Sequence, residues 1–178
     1  MDLIDKQVTK KFAAFEKEQE PALVYEALET LEAAEHDAPP GDVAARRRVV
    51  SRWLRFFAAL DRNIDPMWDP KDVPVKGVTP PLSHGVVYGS GEVDPSTIPD
   101  PVARAQYEQA LKASKDYDKW YRVQLQLQRI DERAMRFVGW LLAERYTDSP
   151  ADRQEFEELL AASPMNDARK ERLRALMY

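Results

Sequence analysis

The stretch DPVARAQYEQALKASKDYDKWYRVQLQLQRIDERAMRFVGWL, residues 100–141, decides the fold. Asp100 followed by Pro101 is a helix start: a capping carboxylate, then a residue with no N–H to lose and φ already helical. No further Gly or Pro occurs before Gly139. Val123, Leu127, Ile130, Ala134, Phe137 and Leu141 step by four and three, the spacing of one helix face. Ala103, Tyr107, Ala110, Leu111, Tyr117 and Tyr121 form a second stripe upstream. Val123 to Gln128 also alternates apolar and polar, as a strand would. Gln, Leu and Arg favour helix, however, and no turn residue bounds the run. One long helix is the simplest reading, with Asp131 to Ala134 as the place for a break if it has one.

Similar stripes organise the N-terminal third. Leu3, Ile4, Val8, Phe12 and Phe15 predict a helix over 3–18. Pro21 opens a second, running to about His36, with Val24, Ala27, Leu28, Leu31 and Ala34 as its apolar face. Pro39, Pro40 and Gly41 end it. A third covers about 42–63, with Val43, Val50, Trp53, Phe57 and Leu60 in one stripe, widened by Val49, Leu54 and Phe56. After the long helix, Ser149-Pro150 and Ser163-Pro164 read as cap and first turn of two short helices, about 150–162 and 165–177. Phe156, Leu159 and Leu160 are expected inward on one, and Leu173, Leu176 and Met177 on the other.

Residues 64–100 differ. They hold seven of the 13 prolines and four of the 6 glycines, yet also Met67, Trp68, Val73, Val75, Leu82, Val86, Val87 and Ile98. Those side chains are costly to leave in water, so an extended strap lying across the helices is predicted. The expectation is an all-α single domain over 1–178, an irregular bundle of five to seven helices with this strap packed on it.

Composition narrows function. The 178 residues are 44% hydrophobic, 32% charged and 10% aromatic, a globular profile with no apolar run fit for a membrane span. Absence of Cys removes thiol chemistry and disulfides. Localisation stays open: cytoplasmic if Met1 is native, periplasmic or secreted if a leader was removed. The net charge of -5 makes nucleic acid an unfavoured partner.

The only histidines are His36 and His84. Ser83 and His84 are adjacent and face each other poorly, and no Gly-x-Ser-x-Gly elbow exists. Glu32 and His36 share a helix face, but two ligands do not make a metal site, and a helix-capping His36 is the simpler reading. Asp65-x-x-x-Asp69 lacks the glycine and terminal Glu of a calcium loop, and Gly85-x-x-x-Gly89-x-Gly91 lacks a phosphate-loop Lys. No cofactor is called for.

Charge is unevenly placed. Glu26, Glu29, Glu32 and Glu35 lie on the second helix, and Arg46, Arg47, Arg48, Arg52 and Arg55 crowd the third. Across a hairpin turning at Pro39-Pro40-Gly41, Glu35 and Glu32 are expected to meet Arg46 and Arg47. Glu29 and Glu26 should then meet arginines further along, such as Arg52. The opposing reading makes Arg48, Arg52 and Arg55 an open stripe for an anionic partner. Tyr107, Tyr117, Tyr121, Phe137, Trp140 and Tyr146 are read mainly as core, while Trp120, off the main stripe, is read as an interface anchor.

The pattern Asp94-Pro95-x-x-Ile98-x-Asp100-Pro101-x-x-Arg104-x-x-Tyr107-Glu108, with the following Gln/Arg-rich helix and the upstream Asp65-Pro66-x-Trp68-Asp69-Pro70, resembles a family of uncharacterised bacterial helical proteins. The resemblance covers about half the chain and implies no role for any residue. It implies only that the strap and the following helix form one unit. The resulting expectation is a non-enzymatic structural or protein-interaction module whose partner is another protein. Two alternatives are a small acidic inhibitor or immunity-type protein masking a basic partner, and a metal-dependent hydrolase using acids near His36 or His84.

Overall fold

The computed structural model describes residues 2–35, 41–65 and 94–178. These are almost wholly helical, with six α-helices and no strand among them: α1 (Leu3–Glu18), α2 (Pro21–Ala34), α3 (Val43–Asn63), α4 (Pro101–Arg145), α5 (Pro150–Ala162) and α6 (Asp167–Met177). The all-α expectation and its range of five to seven helices hold. Most of the strap expected over 64–100, from residue 66 to 93, lies outside the described residues, as do His36 and His84.

Packing divides the chain into two compact units, Met1–Pro66 with Leu125–Tyr178, and Met67–Gln124, where the sequence reads as a single domain. The division falls inside α4, which is one uninterrupted helix with no break at Asp131 to Ala134.

In the second unit the quoted Asp-Pro pattern is a string of caps. Asp94 accepts from Ser96 N–H at 2.9 Å and opens a single 3-10 turn, Pro95–Thr97. Asp100 accepts from Val102 N–H at 3.1 Å at the head of α4. Arg104 reaches back from α4 and donates to the Ile98 carbonyl through Nε and Nη2, at 3.1 and 2.7 Å. Asp94 and Asp100 thereby satisfy N–H groups that a helix start leaves open, and Arg104 holds the carbonyl of the segment leading into α4.

The first unit is a bundle built from α1, α2, α3, residues 125–145 of α4, α5 and α6. Its buried sets follow the predicted stripes: Val8, Phe12 and Phe15 on α1, and Val24, Ala27, Leu28, Leu31 and Ala34 on α2. Helix α3 is the most deeply surrounded, burying Trp53, Leu54, Phe56, Phe57 and Leu60 among others. Gln19 ends α1 in the left-handed region at φ 56°, its N–H returning to the Phe15 carbonyl at 2.7 Å. Gly41 stands at φ 88° just before the Asp42 cap of α3, a conformation in which a Cβ is strained.

Several details differ from the sequence reading. Val43 is exposed, because the first turn of α3 lies at the end of the bundle. Asn166, not Ser163, caps α6, accepting from Arg169 N–H, while Ser163 ends α5 and Met165 is buried between the two helices. Leu176 is half-exposed rather than buried, its methyls lying over Gly139 at 3.4 Å from where a Cβ would be built.

The bundle also buries charge. Arg169 of α6 is only 4% exposed and donates to Asp61 of α3 through Nε at 3.0 Å and Nη2 at 2.6 Å. It also bonds Asp131 of α4, which Arg172 shares at 3.2 Å, and its guanidinium lies 4.8 Å from the centre of the Phe57 ring. Replacing Arg169 by Ala should therefore lower the unfolding free energy by about 3–5 kcal/mol, since Asp61 loses its counterion and buried Asp131 keeps only the more exposed Arg172. Arg169→Met combined with Asp61→Asn and Asp131→Asn should recover much of that loss in denaturant unfolding. Equal losses in the single and triple variants would show that the charges are not coupled.

Candidate functional site

The arginines of α3 find partners inside the chain, but not on α2. Arg46 donates to Glu155 of α5 through Nε at 3.1 Å and Nη2 at 2.9 Å, lies 3.1 Å from Asp152, and gives Nη1 to the Arg145 carbonyl at 3.0 Å. Its guanidinium covers the Tyr146 ring at 4.3 Å, and Tyr146 Oη donates to Glu155 at 3.0 Å. Arg47 lies 3.7 Å from Glu158, Arg52 bonds Asp2, and Arg55 bonds Asp5 at 2.6 Å.

The acids of α2 turn elsewhere. Glu32 takes a two-pronged contact from Arg133 of α4, with Nε at 2.9 Å, and Arg133 also lies over the Tyr25 ring at 4.9 Å. Glu35 is buried and accepts from Arg145 at 2.8 Å, and Glu26 meets Lys11. The pairing predicted between Glu26, Glu29, Glu32 and Glu35 and the α3 arginines is thus overturned. Tyr25 and Glu32 lie two turns apart on an edge of α2 that faces α4, while Arg46 follows the core-facing stripe of α3 and is met by α5.

The predicted open stripe is also reduced. Arg52 is 13% exposed at its side chain and tied to Asp2, and Arg55 is held by Asp5. Arg48 is exposed and makes no hydrogen bond or ion pair among the described residues. Trp120 is half-buried, its ring 5.6 Å from that of Tyr117 in the second unit. Arg48, Arg52 and Arg55 belong to the first unit and Trp120 to the second. Among the described residues no group of three or more His, Asp or Glu is placed to hold a metal ion. Of the carboxylates near His36 in sequence, Glu32 and Glu35 are engaged by arginines, and Asp37 lies outside the described residues.

What the sequence reading missed is Trp140. It is 49% exposed, and Val43, 52% exposed, lines the same cavity. This cavity of about 280 Å³ lies between the start of α3 and the end of α4, lined by Gly41, Asp42, Val43, Arg46, Trp140, Glu144 and Arg145. Trp140 meets Phe137 edge-on at 5.4 Å, Phe137 stacks on Trp53 at 5.1 Å and 25°, and Trp53 touches Phe56 at 5.9 Å. An aromatic series thus runs from the cavity wall into the core. The available signal was spacing: Arg133, Arg136, Trp140 and Glu144 step by three and four along the polar face of α4. A second hollow, about 370 Å³, lies along α1 and α3 and includes Phe12, Arg52, Arg55 and Arg62 in its lining.

Ionisation near the cavity follows these contacts. The hydroxyl and backbone N–H of Thr147, both at 2.7 Å, and then Arg46, hold Asp152 below its ordinary 3.8. Backbone N–H donation from Asp5, then Arg52, lowers Asp2, and Arg174 lowers Glu157. Burial, and then the charge of Glu155, raises Tyr146 above its ordinary 10.0.

Comparison with known protein families, with curated proteins and with solved structures finds no match for this chain.

Stability lent by the lowered carboxylates is complete above their unfolded values and disappears as pH falls through their lower folded values. That lent by Tyr146 is complete below 10.0 and disappears as pH climbs beyond it. The melting temperature should hold between about pH 5 and 9 and fall on both sides. Asp152→Asn should shrink the acid fall and Tyr146→Phe the alkaline one. Melts at graded pH in which neither variant alters its limb would contradict these assignments.

Proposed function

We propose that the protein is a non-enzymatic interaction module that binds another protein through the surface around Trp140. The exposure of Trp140 carries this reading. A tryptophan held on a long helix and left half in water is costly in isolation and is the residue type most enriched among interface anchors. Val43 at the same cavity adds apolar area, and Arg46, Arg145, Asp42 and Glu144 supply the polar surround that protein interfaces carry. The charged groups elsewhere in the first unit are largely occupied with one another, which supports a scaffold rather than a reacting centre. The metal-dependent alternative has less support, because Glu32 and Glu35 are engaged by Arg133 and Arg145.

The reading is tested in the native host with a photo-crosslinking amino acid at position 140, and at exposed Lys17 of α1 as control. Position 140 should give a discrete protein adduct that the control lacks. Trp140→Ala should abolish co-purification of that protein while leaving the helical circular dichroism unchanged. Identical adduct patterns at the two positions would refute the proposal.

A further inference from the structure

We infer that the cavity at Trp140 receives a cationic side chain, arginine or lysine, from the partner protein. This rests on the interaction-module reading and names the chemistry that the site would select. The first argument is charge. Of the bases among the described lining residues, Arg46 is answered by Glu155 and Asp152, and Arg145 by Glu35. The acids among them, Asp42 and Glu144, have no such counterion among the described residues. Asp42 accepts the Ala45 N–H at 3.0 Å as a helix cap, and Glu144 makes no ion pair there. The described lining therefore holds paired cations and unpaired anions, an excess that attracts a positive group and repels a carboxylate or phosphate.

Trp140 supplies the second argument. Its side chain lines the same cavity, one helical turn before Glu144, so the two lie on one face of α4. An indole is the aromatic wall that attracts a guanidinium or ammonium best. The fold already makes this pairing repeatedly within the first unit, with Arg46 over Tyr146, Arg133 over Tyr25, Arg153 over Tyr178 and Arg169 over Phe57, each arginine also bonded to a carboxylate, Glu155, Glu32, Asp148 or Asp61. At Trp140 the aromatic ring and the carboxylate line one cavity, and among the described residues no arginine or lysine lies over the indole. The cavity, about 280 Å³, has room for one long side chain and its last methylenes against Val43.

The test uses N-acetyl-arginine amide as the probe and N-acetyl-citrulline amide as its uncharged isostere. Binding is read from the Trp140 indole N–H resonance of the full-length protein, assigned with Trp140→Phe. The arginine probe should shift that resonance saturably at low salt, at least about fivefold more tightly than the citrulline probe. The shift should weaken as salt is raised. Glu144→Gln should weaken binding about threefold or more, and so should Asp42→Asn, which retains a capping side chain. Equal binding of the two probes, or unchanged binding in both variants, would overturn the inference. If position 140 crosslinks to a protein but the arginine probe does not bind, the cation site falls and the interaction module stands. If the probe binds and no crosslink forms, the cation site stands and the module reading falls.

Discussion

Burying the Arg169 guanidinium in the bundle costs several kcal/mol of hydration unless carboxylates are brought to it, and they come from two other helices. Asp61 lies near the end of α3 and Asp131 lies on α4, so one guanidinium sets α3, α4 and α6 in register. The same logic repeats at the other end of the first unit, where Arg46 ties α3 to α5 and to the last carbonyl of α4. Between these clamps the apolar stripes pack around Trp53, Phe56 and Phe57. Burial of apolar area drives the assembly, and the ionic clamps restrict which helix lies beside which.

Those clamps mark the limit of what could be read in the chain. Helix positions and apolar faces were legible because each is a local pattern: the whole buried set of α2, and Val8, Phe12 and Phe15 of α1, follow from 3.6-residue spacing. The caps at Asp100 and Ser149 are local as well. Ion pairing is not local. Arg46 and Glu35 look like natural partners across a short Pro-Gly turn, yet their partners lie 109 and 110 residues away. Nor does a single stripe settle the fate of large side chains, since Trp140 stands one position before the buried Leu141 and faces water. Buried Glu155, Asp131 and Arg169 were invisible for the same reason, because their burial depends on counterions that only tertiary packing supplies.

The candidate site and the scaffold share one chemical vocabulary. Arginine, an aromatic ring and a carboxylate meet at Tyr146 and again at Tyr25, and in both cases they join two helices of this chain. The surface around Trp140 uses the same residue types, with Trp140, Glu144 and Arg145 at one cavity. Molecular recognition there would extend the internal packing rule outward instead of adding a separate device.

The separation of these partners has a kinetic consequence. Helical proteins usually fold fast because their contacts are short in sequence, whereas the pairs Arg133–Glu32, Arg145–Glu35, Arg46–Glu155 and Arg169–Asp61 close loops of 101 to 110 residues. The entropy of closing such loops must be met before Glu32, Glu35, Arg46 or Asp61 gains a counterion. During synthesis α1, α2 and α3 emerge with their apolar faces ready and their buried charges unanswered, until residues 125–178 are available. The first unit is thus helical in composition but non-local in assembly. Its folding is governed by the arrival of α4, α5 and α6 more than by the speed at which its own first helices form.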